Sequence, residues 1–234
     1  MDQIELNQKI KELKISADQI LQEEAEMTFL DYLSKDRISS KLIFYGGTVL
    51  RLAYGSPRFS EDIDLIKIKN LKFTEFKKFI NQVIIQNPSW NLKDIKNKRQ
   101  TMFALILIHD DKLKHNFSLK IEIHKPANKV KLNSELLLIK SPTKILEPLL
   151  LVPILNDLKK LKLLALMNRK KARDVFDLWY ISRLLKEKFI LPEKLPKFNQ
   201  REFKNELKVF LPTNYYPVIE QLYEQITNQN KKNT

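Results

Sequence analysis

The sequence YGGTVLRLAYGSPRFSEDIDL, residues 45–65, is the stretch that decides the fold. It contains all three glycines of the 234-residue chain, Gly46, Gly47 and Gly55, within ten positions. Glycine adopts backbone angles that other residues avoid, and it lets another group approach the main chain closely. Because all the glycines lie in one stretch, we expect a tight Gly-Gly turn there, followed by a short helix.

Carboxylates alternate with apolar residues directly downstream, in Asp62-Ile63-Asp64-Leu65. Successive side chains of a strand point to opposite faces of the sheet, so Asp62 and Asp64 share one face and Ile63 enters the core. A Gly-Gly turn, a short helix and a strand with paired carboxylates indicate a site for a phosphate chain and its magnesium ion. The alternative is a solvated strand face, but two neighbouring like charges cost free energy unless a cation lies between them.

The glycine turn offers donors for phosphate groups. Backbone N–H groups at Gly46 and Gly47 would point toward the phosphates from a helix N-terminus, and the Thr48 hydroxyl would add a donor. Arg51 and Arg58 flank the turn, and the loop position favours Arg58 as a phosphate contact. The alternative is a tight turn without a ligand.

The composition limits the class of protein. Lys and Arg number 42 against 28 Asp and Glu, which gives a formal net charge of +14. Such a balance favours polyanionic partners, although a lysine-rich surface that only confers solubility gives the same number. The absence of cysteine excludes disulfides and thiolate metal sites. Because the chain has no long uncharged apolar run and no apolar block near its start, we expect a cytoplasmic protein without a membrane span.

Hydrophobic periodicity predicts alternating helices and strands over the first two thirds of the chain. The predicted helices cover 3–15, 17–35, 48–54 and 73–86, and Ser16 is the N-cap of the second. The predicted strands cover 42–45, 61–68, 102–108 and 117–124. Further short strands are expected within 134–155. Residues 91–100 are polar and basic and predict a loop or a strand edge.

The remaining sequence is typical of helices. We expect a first helix capped by Asn156 or Asp157 and ending near Asn168, then helices at 171–185, 200–210 and 215–227. Pro192 and Pro196 indicate a linker, and residues 228–234 are expected to be disordered. The chain thus divides into an α/β core with N-terminal helices, residues 1–155, and a helical C-terminal domain, residues 156–234.

A third carboxylate follows from the alternation in Phe117–His124. Glu122 points to the face opposite Ile121 and Ile123, and on a neighbouring strand it would complete a magnesium-binding cluster with the two aspartates. It would also bind or activate an attacking hydroxyl. The alternative is an ordinary exposed strand residue.

Two basic residues on the first C-terminal helix suggest a clamp. Lys162 and Arg169 are seven positions apart and share one helical face, which suits a triphosphate or RNA, although a generic basic surface has the same pattern.

Two aspartates on the following helix have open roles. Asp174 and Asp177 each follow a basic residue by four positions, so intrahelical pairs Lys170–Asp174 and Arg173–Asp177 are expected. These pairs would orient the basic residues, or the aspartates would take part in the site.

Together these motifs resemble a known family. Gly46-Gly47-Thr48 after an apolar residue, with Asp62-x-Asp64 after a short helix, resembles the nucleotidyltransferase superfamily related to DNA polymerase β. The fuller string GGTVLRLAYG–PRFSEDIDL is similar to the AbiEii/AbiGii family of bacterial abortive-infection toxins. Further similar segments follow in the expected order: Ile121-Glu122-Ile123, KLLAL at 162–166 with Asn168-Arg169, and KARDVFDL at 171–178.

The resemblance implies an α+β nucleotidyltransferase fold, with a small mixed β-sheet flanked by helices and a helical C-terminal region that completes a nucleotide cleft. It implies a Mg²⁺-dependent enzyme, with Mn²⁺ as a substitute, that moves a nucleoside monophosphate from a nucleoside triphosphate to a hydroxyl acceptor. An RNA acceptor such as tRNA, a toxin role and a cognate antitoxin protein are also implied. The implied catalytic and metal-binding residues are Asp62, Asp64 and Glu122, and the implied nucleotide-binding residues are Gly46, Gly47, Thr48, Lys162, Arg169 and Asp174.

Two other functions compete with this one. A small-molecule nucleotidyltransferase of the aminoglycoside type would suit a net-negative pocket, whereas this chain is basic. A basic nucleic-acid-binding module without turnover would be expected to have lost one of the three carboxylates.

Overall fold

The computed structural model describes residues 1–127, 131–192 and 198–232, and it confirms the mixed α/β fold class. The helices are α1 (Gln3–Leu13), α2 (Ala17–Lys35), α3 (Gly46–Leu52), α4 (Phe73–Gln86), α5 (Leu155–Asn168), α6 (Ala172–Leu184), α7 (Gln200–Phe210) and α8 (Tyr216–Lys232). The strands are β1 (Leu42–Tyr45), β2 (Asp62–Lys67), β3 (Trp90–Asn97), β4 (Thr101–Ile108), β5 (Phe117–His124), β6 (Ser134–Leu138) and β7 (Leu149–Pro153). Short 3-10 helices lie at Arg37–Lys41 and Thr213–Tyr215.

The chain divides into two compact units. The first contains Met1–Gly55 and Phe59–Ile154, and the second contains Ser56–Arg58 and Leu155–Thr234. The first unit carries all the strands of the described residues, and the second consists of α5–α8 together with the short segment Ser56–Arg58.

A mixed five-stranded sheet forms the centre of the first unit, with strand order β1-β2-β5-β4-β3. Strands β2 and β5 are parallel, and every other neighbouring pair in this sheet is antiparallel. A parallel pair needs a long crossover, and α4 with the β3–β4 hairpin lies between β2 and β5 in the chain. A separate antiparallel ribbon pairs β6 with β7.

The two faces of the sheet differ in polarity because side chains alternate along each strand. One face is apolar and fully buried, with Ile63, Ala104 and Ile121 in successive strands. Burying one such isoleucine contributes about 1.5–3 kcal/mol to stability. The other face, called here the open face, carries half-buried polar side chains that include Asp62 and Glu122.

The predicted N-cap of the second helix is confirmed, whereas the first helix ends at Leu13 and not at residue 15. Ser16 caps α2 by accepting a hydrogen bond from the Gln19 N–H at 3.4 Å, and Asp2 caps α1 in the same way. Leu6, Ile20 and other apolar residues of α1 and α2 form a small core with Phe59.

The second unit has a core of its own. Phe176 of α6, Phe203 and Leu207 of α7, and Ile219 and Leu222 of α8 are almost fully buried in one cluster. Aromatic pairs reinforce it, since the Phe203 ring lies 5.6 Å from the Tyr223 ring.

Several expected boundaries differ from the structure. Residues 90–97 form the edge strand β3, so of the two alternatives expected for 91–100 the strand edge is confirmed there and the loop is wrong. Helix α5 begins at Leu155, ahead of the expected caps, and Asp157 lies inside it, hydrogen-bonded to Lys160.

The expected disordered tail is helical as far as Lys232, because Ile226 packs in the core and Gln229 accepts a hydrogen bond from the Leu191 N–H. Residues 233–234 lie outside the described residues, as does the Pro196 end of the expected linker.

Candidate active site

The three predicted carboxylates lie on two adjacent parallel strands. Asp62 and Asp64 are on β2 and Glu122 is on β5, and Asp64 stands directly opposite Glu122 in the register. All three share the open face, where the side chains of Asp62 and Glu122 are 32% and 34% exposed. The strand alternation therefore places the acidic groups side by side and within reach of solvent.

The glycine turn closes onto one of these carboxylates. Tyr45, the last residue of β1, pairs with Asp64, and Gly46 follows with φ of +95°. A Cβ atom added to Gly46 would lie 2.5 Å from Asp64 Oδ2 and 3.0 Å from its Cβ. No other residue type fits here, because the backbone conformation and the closeness of Asp64 both require the absence of a side chain.

Thr48 supports the site in a way that the sequence did not predict. The residue is fully buried in α3, and its hydroxyl donates a hydrogen bond of 2.5 Å to the main-chain carbonyl of Asp62. The expectation that this hydroxyl is a donor for phosphate is thus not what the structure shows. Thr48 positions the start of β2 and so the Asp62 carboxylate.

A lysine missed by the sequence interpretation lies among the carboxylates. Lys120 Nζ is 3.0 Å from Asp62 Oδ2 and 3.5 Å from Glu122 Oε2. Burial alone would lower the pKa of Lys120, but the neighbouring charges, first Asp62 and then Glu122 and Asp64, outweigh burial and hold its pKa above the usual value. The alternation in LKIEIH was the available signal, because it places Lys120 on the same face as Glu122.

The donor chemistry of this face suits a hard divalent cation. Magnesium takes carboxylate oxygens as ligands, and Lys120 already places a positive charge between two of them. In residues 1–127, 131–192 and 198–232, no three His, Asp or Glu side chains are arranged closely enough to hold a metal ion as they stand. Metal binding here would require the side chains to converge further and the ammonium group to withdraw.

A buried ionic group lies on α2 in the same unit. Glu23 accepts a hydrogen bond from Arg51 Nε at 2.8 Å and one from the Ser141 hydroxyl at 2.5 Å. The Arg51 guanidinium also lies 3.9 Å from the centre of the Phe59 ring. Arg51, expected as a possible phosphate contact, therefore anchors α3 to α2.

Glu26 is the second carboxyl group of this helix to be buried. Burial, followed by the charges of Glu23, Asp62 and Glu61, raises its pKa well above the usual value, and only Arg51 opposes the shift. Its Oε1 atom has no hydrogen-bond partner among the described residues. Glu26 therefore keeps its proton to a higher pH than an exposed glutamate does.

The second unit contains a cluster of five charged residues, four of them buried. Arg58 binds Asp177 through two hydrogen bonds of 2.7 and 2.9 Å, and Lys162 Nζ lies 2.6 Å from the same carboxylate. Arg169 binds Asp174 through two hydrogen bonds of 3.0 Å, and Lys162 lies 3.9 Å from Asp174. Burial alone would raise the pKa of Asp177, but Arg58 and Lys162 outweigh it and hold the pKa below its usual range.

This cluster corrects several expectations. The predicted intrahelical pairs Lys170–Asp174 and Arg173–Asp177 are wrong, because an arginine from outside α6 binds each aspartate. Arg173 instead approaches Glu206 at 4.0 Å. Arg58, expected on a loop, is buried.

The two basic residues of the expected clamp, Lys162 and Arg169, differ in their exposure to solvent. The Lys162 side chain is only 6% exposed, whereas that of Arg169 is 50% exposed and lies just beyond the end of α5. Arg169 is therefore the more accessible of the two cations.

The predicted site residues fall into two groups. Gly46, Gly47, Thr48, Asp62, Asp64 and Glu122 lie at one place in the first unit, and Lys162, Arg169 and Asp174 form one cluster in the second. The first group joins residues that are far apart in sequence, whereas the second lies on the consecutive helices α5 and α6 and the turn between them.

Comparison with known families decides the identity. The family model of the AbiEii nucleotidyltransferase toxin, of type IV toxin–antitoxin systems, matches residues 28–228. The chain belongs to the AbiEii family. It is accordingly a toxin-type nucleotidyltransferase, and the resemblance found in the sequence is confirmed. No curated protein matches the chain.

Solved structures support the fold. JHP933 from Helicobacter pylori is 19% identical, with a TM-score of 0.59, and the match covers 93% of this chain and 94% of that one. MenT4, a nucleotidyltransferase toxin from Mycobacterium tuberculosis H37Rv, is 20% identical, with a TM-score of 0.52, and the match covers 82% of this chain and 65% of that one.

No helix within the ranges that the structure describes combines the length and apolar character needed to cross a bilayer.

Proposed function

We propose that this AbiEii-family nucleotidyltransferase moves a nucleoside monophosphate from a nucleoside triphosphate to a hydroxyl group of RNA, with tRNA as the acceptor class. It would act in the cytoplasm as the toxin of a toxin–antitoxin or abortive-infection system, restrained by a cognate antitoxin protein. The observation that carries the proposal is the register of β2 and β5, which sets Asp64 beside Glu122 while the Gly46 turn closes on Asp64.

The carboxylates have distinct roles in this proposal. Asp62, Asp64 and Glu122 would hold Mg²⁺, or Mn²⁺ in its place, and the metal would supply charge neutralisation for the triphosphate and the attacking oxygen. Glu122 would bind the acceptor hydroxyl and take its proton. The hydroxyl oxygen forms a bond to the α-phosphorus, the bond from that phosphorus to the bridging oxygen of the β-phosphate breaks, and pyrophosphate leaves with the bond electrons.

The remaining residues bind and orient the nucleotide. Gly46 and Gly47 would offer backbone N–H groups to the phosphates at a turn without side chains. Arg169 would contact phosphate directly because half of its side chain is accessible. Lys162 would contribute its charge from within the cluster, and Asp174 would fix the Arg169 guanidinium through their two hydrogen bonds.

A transfer assay tests this proposal. Purified protein is incubated with Mg²⁺, each α-labelled nucleoside triphosphate in turn, and total RNA. The test variant is Asp62→Asn/Asp64→Asn, and the matched control is Asp110→Asn/Asp111→Asn, which removes the same charge from a turn between β4 and β5.

Label in a tRNA band with the wild type and the control, but not with the test variant, is the expected result. Label on an aminoglycoside or a protein instead of RNA would overturn the RNA acceptor. Equal label with the wild type and the test variant would overturn the assignment of the carboxylates.

A further inference from the structure

The open face of the sheet extends beyond the carboxylates onto β4 and β3. Phe103 of β4 stands directly opposite Glu122 of β5, and Lys96 of β3 stands directly opposite Phe103. Side chains directly opposite each other on neighbouring antiparallel strands have Cβ atoms about 5 Å apart. An aromatic ring thus lies one strand away from the carboxylate that the proposed function assigns to the acceptor hydroxyl.

Positive charge surrounds this ring. Lys96, Lys98 and Arg99 are exposed at the β3–β4 turn, and Lys98 Nζ lies 4.9 Å from the centre of the Phe103 ring. Lys125 follows β5 and reaches the same turn, where it donates a hydrogen bond to Asn97. We call Lys96, Lys98, Arg99, Phe103 and Lys125 the hairpin platform.

The acidic content of this area is low. Asp94 lies on the same face of β3 and pairs with Lys96 at 2.5 Å. Glu122, opposite Phe103, is a second carboxylate beside the platform, so four cations face two carboxylates and leave a positive excess that complements a phosphate backbone.

The ring itself is not part of the buried core. Phe103 is half-buried, as are Leu105 and Leu107 farther along the open face of β4, whereas Met102 and Ala104 on the opposite face are buried. A phenylalanine at a partly accessible position, flanked by lysine, is the arrangement on which an unpaired base stacks.

We propose that the hairpin platform binds the single-stranded 3′ end of the RNA acceptor. A base near the 3′ end stacks on Phe103, the flanking phosphates pair with Lys98 and Arg99, and the terminal ribose lies at Glu122. This inference rests on the proposed function for the identity of the acceptor. Base faces are accessible only in unpaired nucleotides, so the platform selects a single-stranded end over a duplex.

Direct binding tests the platform without turnover. A fluorescent RNA hairpin with a four-nucleotide 3′ overhang is titrated into the Asp62→Asn/Asp64→Asn protein, and fluorescence anisotropy is recorded at several salt concentrations. Into this background are placed Phe103→Ala, Phe103→Leu, Phe103→Trp and Lys98→Ala/Arg99→Ala. Phe73→Ala, which removes a half-buried ring from α4, and Lys77→Ala/Lys78→Ala, which removes two exposed charges from α4, are the controls.

Phe103→Ala and Phe103→Leu are expected to weaken binding about ten-fold, the effect of losing one stacked base, while Phe103→Trp retains it. The leucine variant keeps an apolar side chain at this position and so separates loss of the ring from loss of apolar character. Lys98→Ala/Arg99→Ala is expected to weaken binding and to reduce its salt dependence, and the controls are expected to match the parent.

Turnover gives the second measurement. In the active enzyme, the Phe103 variants should raise KM for RNA and leave nucleotide binding unchanged. Binding that is unaffected by Phe103→Leu, or equal affinity for a blunt duplex, would overturn the platform. If RNA binds through the platform but receives no label, the proposed acceptor chemistry fails while the platform stands. Preferential binding of DNA or of a protein would overturn the assignment of RNA as the ligand.

Discussion

The Cα of Gly46 faces the carboxylate of Asp64 so closely that a single methyl group would lie 2.5 Å from Asp64 Oδ2. Asp64 lies in β2 and pairs with Tyr45, the last residue of β1, and the chain turns at Gly46, the first residue of α3, with φ of +95°. The main chain at Gly46 therefore packs against the Asp64 carboxylate. Any side chain at position 46 would displace that carboxylate.

Gly46→Ala is expected to reduce nucleotidyl transfer at least a hundred-fold. The left-handed backbone conformation costs an alanine about 1–2 kcal/mol, and the methyl group also displaces the Asp64 carboxylate. Initial transfer rates and urea unfolding curves are measured for the same variant.

Gly55→Ala is the matched control, since Gly55 also has a positive φ, +72°, at which an alanine is strained. It should lose stability to a similar extent but keep most of its activity. Equal activity losses in the two variants would mean that strain, and not displacement of Asp64, explains the effect.

Lys120→Met is expected to tighten the binding of Mn²⁺, measured by isothermal titration calorimetry without nucleotide. The Lys120 ammonium lies 3.0 Å from Asp62 and 3.5 Å from Glu122, so it competes with a divalent cation for the same oxygens. A unit charge at about 4 Å is worth about 1 kcal/mol in bulk water and about 4 kcal/mol near a protein surface, so the affinity for Mn²⁺ should rise at least about five-fold.

Lys120→Arg keeps the charge and should bind Mn²⁺ with nearly the affinity of the wild type. Lys67→Met, farther along β2, removes a lysine outside the ion pairs of the carboxylates and should have little effect. Weaker Mn²⁺ binding by Lys120→Met would show that the lysine supports the metal site and does not compete with it.

Much of the fold follows from local patterns. The helix at Phe73–Gln86 and the strand at Phe117–His124 have the predicted ends, because hydrophobic period and flanking residues determine both. The shared face of Asp62 and Asp64 follows from the same alternation. Their pairing with β5 does not, because the register between strands depends on contacts remote in sequence.

The ionic partners were the least predictable part. Arg58 and Asp177 are 119 positions apart and form a bidentate pair, whereas the i,i+4 rule connected Asp177 to Arg173. Exposed helical pairs are worth only a few tenths of a kcal/mol, so tertiary structure readily replaces them. The roles assigned to individual site residues and the domain limits stay predictions.

Asp177→Asn is expected to destabilise the protein by about 3–5 kcal/mol, because it leaves Arg58 and Lys162 as buried charges without their shared carboxylate. Urea unfolding is followed by Trp179 fluorescence in a Trp90→Phe background. Asp31→Asn, which breaks the Lys35–Asp31 pair on α2, is the control and should change stability by less than about 1 kcal/mol.

The pH dependence gives an independent check of the Asp177 pair. The pKa of Asp177 is lowered in the folded protein, so its contribution is present above the unfolded pKa of about 3.9 and is lost as pH falls through the folded value. The difference between wild type and Asp177→Asn should therefore shrink in acid. A difference that is constant from pH 7 to pH 3 would contradict the ionised pair.

Glu26→Gln is expected to change the pH dependence of stability in the opposite direction. The pKa of Glu26 is raised, first by burial and then by Glu23 and Asp62, so folding above the unfolded pKa requires uptake of a proton. Wild-type stability then falls by up to about 1.4 kcal/mol for each pH unit between the unfolded and folded pKa values. Because glutamine does not titrate, unfolding free energies at pH 5 and pH 8 should show Glu26→Gln gaining on the wild type as the pH rises. Glu26→Leu separates packing from titration. Its unfolding free energy should differ from that of Glu26→Gln, but its gain on the wild type between the two pH values should be the same. Parallel curves for wild type and both variants would show that Glu26 is ionised in the folded protein.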